Sequence, residues 1–132
     1  MTIERQNPPG LHTPPGYHHV TVTSATRTVH LAGQCPLTAD GSVVEGGVLA
    51  QADQVIANAA AALEFAGAGP ADVVRTVIYV VTTDRETLSA VWARLAESPI
   101  GEAFSSASTL LGVAQLGYPG QLVELDVTAA LD

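Results

Sequence analysis

Residues 73–82 (VVRTVIYVVT) carry apolar or β-branched side chains on both parities of a strand, Val77, Tyr79 and Val81 on one and Val74, Ile78 and Val80 on the other. A strand apolar on both sides is buried on both sides, so any fold of this chain must cover a central strand twice.

One cover is helical. From residue 48 to residue 66, Val48, Leu49, Ala52, Val55, Ile56, Ala59, Leu63 and Ala66 recur at helical spacing, with Gln51, Gln54, Asn58 and Glu64 mainly elsewhere. A helix of that length spans about 28 Å, enough to cross one face of a small sheet. Gly67 supplies a residue that tolerates a left-handed C-cap, and Pro70 prevents the helix from resuming. After the central strand, Thr83-Asp84-Arg85-Glu86 has the form of a capping box, Thr83 and Glu86 satisfying free amides at a helix start. Leu88, Val91, Trp92, Leu95 and Ala96 then make a core stripe that stops near Ser98-Pro99.

The remaining periodic segments alternate as strands do. Residues 17–23 place Val20 and Val22 on one parity and Tyr17, His19, Thr21 and Thr23 on the other; residues 28–33 form a second strand. Asp40-Gly41 marks a turn, after which Val43-Val44 extends the pairing. Residues 106–128 read as two apolar strands joined by Gly117-Tyr118-Pro119-Gly120. In the second of these Val123, Leu125 and Val127 share one face, and Leu122, Glu124, Asp126 and Thr128 share the other. A carboxylate amid apolar neighbours is costly unless solvated or paired, so that second face is either wet surface or the floor of a site.

Residues 1–16 hold Pro8-Pro9-Gly10 and Pro14-Pro15-Gly16, too much Pro and Gly for a regular element, and are expected to form an arm on a single domain spanning 17–132. The expected fold is α+β, in the order β-β-α-β-α-β-β, with both helices on one side of one mixed sheet. The opposite sheet face then requires another subunit. Composition agrees: 47% of the residues are hydrophobic and only 14% charged, more apolar surface than a small domain hides easily.

Five Arg, no Lys and thirteen carboxylates give a formal net charge of −8, which disfavours nucleic acid as a partner. Cys35 is the only cysteine, no apolar run approaches the roughly 20 residues of a membrane span, and no basic-then-apolar leader pattern opens the sequence. These features are those expected of a soluble cytoplasmic protein with no membrane association. His12, His18, His19 and His30 lack a metal-binding spacing, so no metal site is expected.

Several short motifs, in order along nearly the whole chain, carry a resemblance: Pro15-Gly16-Tyr17, Ala32-Gly33-Gln34-Cys35-Pro36, Gln51 through Asn58, Val74-Arg75-Thr76-Val77 and Leu122-Val123-Glu124-Leu125. With them the chain resembles the Rid family, the reactive intermediate deaminases also called RidA, YjgF-like or endoribonuclease L-PSP-like proteins. The resemblance implies a chorismate-mutase-like subunit assembled as a homotrimer, with small-molecule pockets between neighbouring subunits. It also implies a hydrolase of 2-imino or enamino acids that uses no cofactor. In such a pocket an Arg clamps the substrate carboxylate, a Glu positions or activates water, and a Tyr from the N-terminal segment closes the site.

Carried over by position, Glu124 is the implied catalytic residue, and Tyr17, Gly33, Ser108 and Thr109 are the implied substrate-binding residues. The Arg has no counterpart: a segment that usually reads Ala-Arg-Ser is Ala107-Ser108-Thr109 here, so the chain resembles the divergent members without it. A serine offers no forked, permanent charge, and its loss costs on the order of a few kcal/mol of carboxylate binding. Neutral hydroxyls of Ser105, Ser106, Ser108 and Thr109 are the available donors, and Arg75 is the candidate if a cation is displaced, although pairing with a carboxylate across a subunit boundary suits it better. Two functions remain open: a diverged hydrolase acting on an imine, enamine or related reactive intermediate, or a noncatalytic trimer that binds a small molecule or a pathway partner. The ribonuclease name associated with such proteins would need an anion-binding surface, which the −8 charge argues against.

Overall fold

The strand that the sequence makes central is central. A computed structural model of the chain describes residues 2–132. In chain order it contains β1 (Ile3–Gln6), β2 (Val20–Thr23), β3 (Arg27–His30), α1 (Val48–Phe65), β4 (Val73–Val81), α2 (Arg85–Ala96), β5 (Ala107–Val113) and β6 (Val123–Leu131), with single 3-10 turns before β4 and before β5. The main sheet has the order β3-β6-β4-β5, so β4 is flanked on both sides. It runs parallel to β5 and antiparallel to β6, which makes the sheet mixed.

Both helices lie on one face of this sheet. Val55, Ile56, Ala59 and Leu63 of α1 and Val91 and Leu95 of α2 are buried with Ile78, Val80, Val123, Leu125 and Val127 in one core, closed at its end by Phe104. The chain is thus α+β, in the expected element order from β2 onward. The other face of β4 is only half-buried at Val77, Tyr79 and Val81. A β-bulge between Val73 and Arg75 adds a residue to β4 there. Val73 therefore faces the core, fully buried, and Val74 is left half-buried instead of sharing the face of Ile78 and Val80.

The structure corrects several local expectations. The segment 1–16 is not wholly irregular: Ile3–Gln6, ahead of the prolines, pairs antiparallel with β2. Arg5 fastens that strand, donating from Nη2 to the Val73 carbonyl at 3.2 Å and lying 3.8 Å from Glu102. Consequently β2 belongs to a separate two-stranded sheet and not to one continuous mixed sheet. It also begins at Val20, three residues later than expected from alternation. The strand expected over 28–33 ends at His30, and pairing resumes as an isolated bridge between Gln34 and Leu125. Although 106–128 does contain two strands, β5 and β6 do not pair with each other, because β4 lies between them.

Helix ends follow backbone chemistry. Helix α1 ends at Phe65 with Gly67 at φ +82°, the left-handed position that glycine tolerates. The cap of α2 is Asp84 and not Thr83: the Asp84 carboxylate accepts the Glu86 amide at 3.0 Å, while Thr82 Oγ1 accepts the Asp84 amide at 3.0 Å. An aspartate one residue later does the same work and brings its charge to the positive helix end.

Candidate functional site

Period-2 alternation in β6 places Val123, Leu125 and Val127 in the core and turns Glu124 and Asp126 onto the face without helices. There Glu124 stands opposite Tyr79 of β4, and Asp126 opposite Val77. Tyr79 donates its phenol to Asp126 Oδ2 at 3.1 Å, and burial, reinforced by that bond, raises its pKa above the ordinary value. Glu124 is held from the side: its Oε1 accepts from Gln121 Nε2 at 3.1 Å and from Cys35 Sγ at 3.3 Å. Burial first, and the adjacent Glu124 carboxylate second, push the Cys35 thiol up to about 11, the opposite of what a reactive thiolate needs.

Gly33 lies directly over this pair of carboxylates. A Cβ on Gly33 would overlap Glu124 Oε2, 2.9 Å from Glu124 Cδ and 3.2 Å from Asp126 Oδ1. A side chain at 33 would have to push aside the end of Glu124, which gives the glycine a steric reason.

The loops that carry these groups are fastened to α1 by side chains that helical spacing assigns to its polar side. Asn58 Nδ2 donates to the carbonyls of Cys35 and Leu37 at 3.0 and 2.9 Å. Gln51 donates to the Gly120 carbonyl at 2.9 Å and accepts the Leu122 amide at 2.7 Å. Gln51 is 4% exposed, so it belongs to the buried face of α1 and not to the outer one. Residues 51 and 58 are two turns apart on one stripe, which lets a single helix hold both loops.

The other implied residues gather elsewhere. Pro15 and Tyr17 of the N-terminal segment, Ser89 and Trp92 of α2, and Ser108, Thr109 and Leu110 of β5 line a cavity of about 550 Å3. Tyr17 meets Trp92 edge to face at 6.2 Å, and its phenol lies 3.4 Å from His12 Nε2. Trp92 is thus half-buried against the cavity, whereas Leu95 alone of the two takes the fully buried place in the core.

Ser108 aligns with Thr76 across the parallel pair and accepts its hydroxyl, so it faces the helices, opposite in sense to Glu124. Its own hydroxyl donates to the Phe104 carbonyl at 3.1 Å, and Ser106 donates to Ala103 at 2.7 Å. These hydroxyls are committed to the main chain and are not the spare donors the sequence suggested. Thr109 accepts from Arg75 Nη2 at 2.9 Å, while Nη1 donates to the Ala107 carbonyl at 3.1 Å, so within the subunit Arg75 binds β5 and not a carboxylate.

Of the implied set, then, Tyr17, Ser108 and Thr109 line one cavity and Glu124 and Gly33 come together apart from it, although Thr109, level with Val77, has its side chain on the Glu124 face of the sheet. Sequence reading gave no role to Gln121, Gln51 or Asn58, although Gln51 and Asn58 bound one of the motifs behind the resemblance, since each acts on a partner distant in the chain or set by a turn. Among the described residues no group of three or more His, Cys, Asp or Glu is arranged to hold a metal ion. No helix among them is long and apolar enough to cross a membrane.

The comparison with known proteins follows the same outline. Residues 11–131 match the family model of endoribonuclease L-PSP. The crystal structure of YyfB from Yersinia pestis, described as a protein of unknown function of the conserved Rid family, is 36% identical, with a TM-score of 0.86 over 99% of this chain and 100% of that one. YyfA of the same organism, also a Rid protein of unknown function, is 27% identical with a TM-score of 0.68, covering 98% and 100%. RidA from an Antarctic Psychrobacter is 27% identical with a TM-score of 0.64, covering 91% and 92%. No curated protein matches. A model match over nearly the whole chain and a shared fold at this identity show that the chain belongs to the Rid, or endoribonuclease L-PSP, family.

Proposed function

We propose that this protein is a trimeric, diverged hydrolase of a reactive imine or enamine, in which Glu124 positions the water that adds to the C=N carbon. Addition of water to the imine gives a carbinolamine, and transfer of a proton to its nitrogen with departure of ammonia leaves the carbonyl product; Glu124 Oε2 is suited to relay that proton. The observation that carries this is the state of the Glu124 carboxylate, fixed through one oxygen on the sheet face without helices, with its other oxygen turned to Gly33.

The pocket proper would be completed by a neighbouring copy. Val77, Tyr79 and Val81 leave an apolar half-covered face, and pressing it against a second subunit would bring the Glu124 half-site to another copy's Tyr17 and Ser108 half-site. With Ser108 in the clamp's place and its hydroxyl already donated, the substrate is one without a carboxylate there. A second reading, a noncatalytic small-molecule binder, is favoured by that same committed Ser108 and by the aromatic wall of Tyr17 and Trp92.

The test is to generate 2-aminoacrylate with a dehydratase and follow the loss of the imine, beside a panel of imines lacking a carboxylate. Weak or no turnover of 2-aminoacrylate, turnover of a neutral imine abolished by Glu124→Gln, and gain of 2-aminoacrylate turnover in Ser108→Arg would support the hydrolase. Inertness to every imine, with thermal stabilisation by a metabolite, would establish the binder instead. A solution mass near 13.5 kDa and not three times that would remove the interface pocket.

A further inference from the structure

The two oxygens of Glu124 are in different situations. Oε1 accepts the Gln121 carboxamide and the Cys35 thiol, whereas Oε2 has no protein donor among the described residues and faces Gly33. Of the two donors the amide is the stronger, since a thiol is a weak hydrogen-bond donor.

Gln121 is 3% exposed, and a buried carboxamide is costly unless its groups are matched. They are matched in one orientation. Its Oε1 accepts the Tyr118 amide at 3.1 Å, and Nε2 donates to the Val123 carbonyl at 3.0 Å as well as to Glu124. Flipping the carboxamide would set oxygen against the carboxylate and the Val123 carbonyl, and nitrogen against the Tyr118 N–H, so the network fixes the orientation. Gln51 pins the two residues on either side of Gln121 to α1. Gln121 therefore cannot swing away from Glu124 without giving up its bonds to the Tyr118 amide and the Val123 carbonyl.

We infer that Gln121 is a positioning residue, whose carboxamide holds Glu124 by Oε1 and so makes Oε2, at Gly33, the oxygen that meets the ligand. The second half of this rests on Glu124 being the working carboxylate; the hold itself does not. It also gives the 117–120 turn, which opens a separate cavity of about 570 Å3 lined by Tyr118 and Gln121, a direct line to the carboxylate.

The hold is read by nuclear magnetic resonance of the Gln121 side-chain amide in glutamine-labelled protein, assigned by its loss in Gln121→Glu. The amide resonances are expected to move between the wild type and Glu124→Gln and to stay nearly in place in Asp126→Asn, the control for the neighbouring carboxylate. Resonances that Glu124→Gln leaves unmoved, or that Asp126→Asn moves as far, overturn the inference. Function is read separately, with any imine whose turnover Glu124→Gln abolishes. Gln121→Glu keeps an acceptor for Tyr118 but turns an oxygen toward Glu124, and is expected to lower kcat roughly 10- to 100-fold with KM nearly unchanged. An unchanged kcat in folded Gln121→Glu refutes the positioning role. Absence of any imine turnover beside an intact amide response would refute the hydrolase and leave the hold standing.

Discussion

Glu124 and Ser108 lie on opposite faces of the same sheet. Glu124 pairs with Tyr79 on the face without helices, and Ser108 pairs with Thr76, whose side chain is fully buried under them. No rotamer change can bring the two side chains into one pocket of a single subunit.

The first prediction follows from that opposition. If a site joins Glu124 of one copy to Tyr17 of another, Glu124→Gln and Tyr17→Ala proteins, each inactive alone, recover part of the wild-type turnover when unfolded and reassembled together. Mixed oligomers then contain some sites with neither substitution. Recovery would be measured against each variant reassembled alone; none at all would mean that both residues act within one copy or not together.

Gly33→Ala should destabilise the chain by about 1–3 kcal/mol through overpacking against the Glu124 carboxylate. The shift is read from the urea midpoint at unchanged slope. Because the Cβ would press on Glu124 in particular, most of this cost should disappear in a Glu124→Ala background, as a double-mutant cycle would report.

Cys35 is expected to resist alkylation. With its pKa pushed to about 11 from an ordinary value of 9.0, the thiolate fraction at pH 8 falls on the order of 100-fold. Glu124→Gln should speed the reaction with iodoacetamide, though not fully, since burial is the larger cause and remains. The same shift has a stability consequence. Below pH 9 both folded and unfolded chains keep the thiol protonated and nothing changes; between 9 and about 11 the unfolded chain alone loses its proton, so stability falls as pH rises. Cys35→Ser should flatten that alkaline limb in urea titrations.

Asp84→Ala should cost about 1 kcal/mol, and Thr83→Ala close to nothing, because the cap of α2 is the aspartate. Equal effects of the two substitutions, by thermal unfolding, would return the cap to the position the capping-box pattern suggests.

How far the chain could be understood from its residues differs from one element to the next. The long helix was legible because Val55, Ile56, Ala59 and Leu63 need only one another to define a stripe, and it ends within a residue of the expected place. The two faces of β6 were legible for the same reason. The resemblance, drawn from short motifs, agrees with the family that the structure and its relatives show. Ile3–Gln6 was missed because a short strand among prolines has no period to display, and its partner β2 begins more than a dozen residues later. Gln51 was placed on the wrong face because a polar side chain is indistinguishable, by pattern, from a solvated one until its partners at Gly120 and Leu122 are known.

What the sequence determined by itself was the periodicity of the long elements, the turn after α1, the side of β6 on which Glu124 and Asp126 stand, and the absence of an arginine at Ser108. Tertiary structure decided which of these meet. The thiol of Cys35 reaches Glu124 across 89 residues, β4 slides between β5 and β6, and Gly33 closes on a carboxylate. Backbone periodicity is written in nearest neighbours, whereas strand order and the partners of buried polar groups are chosen by the packing of the whole core.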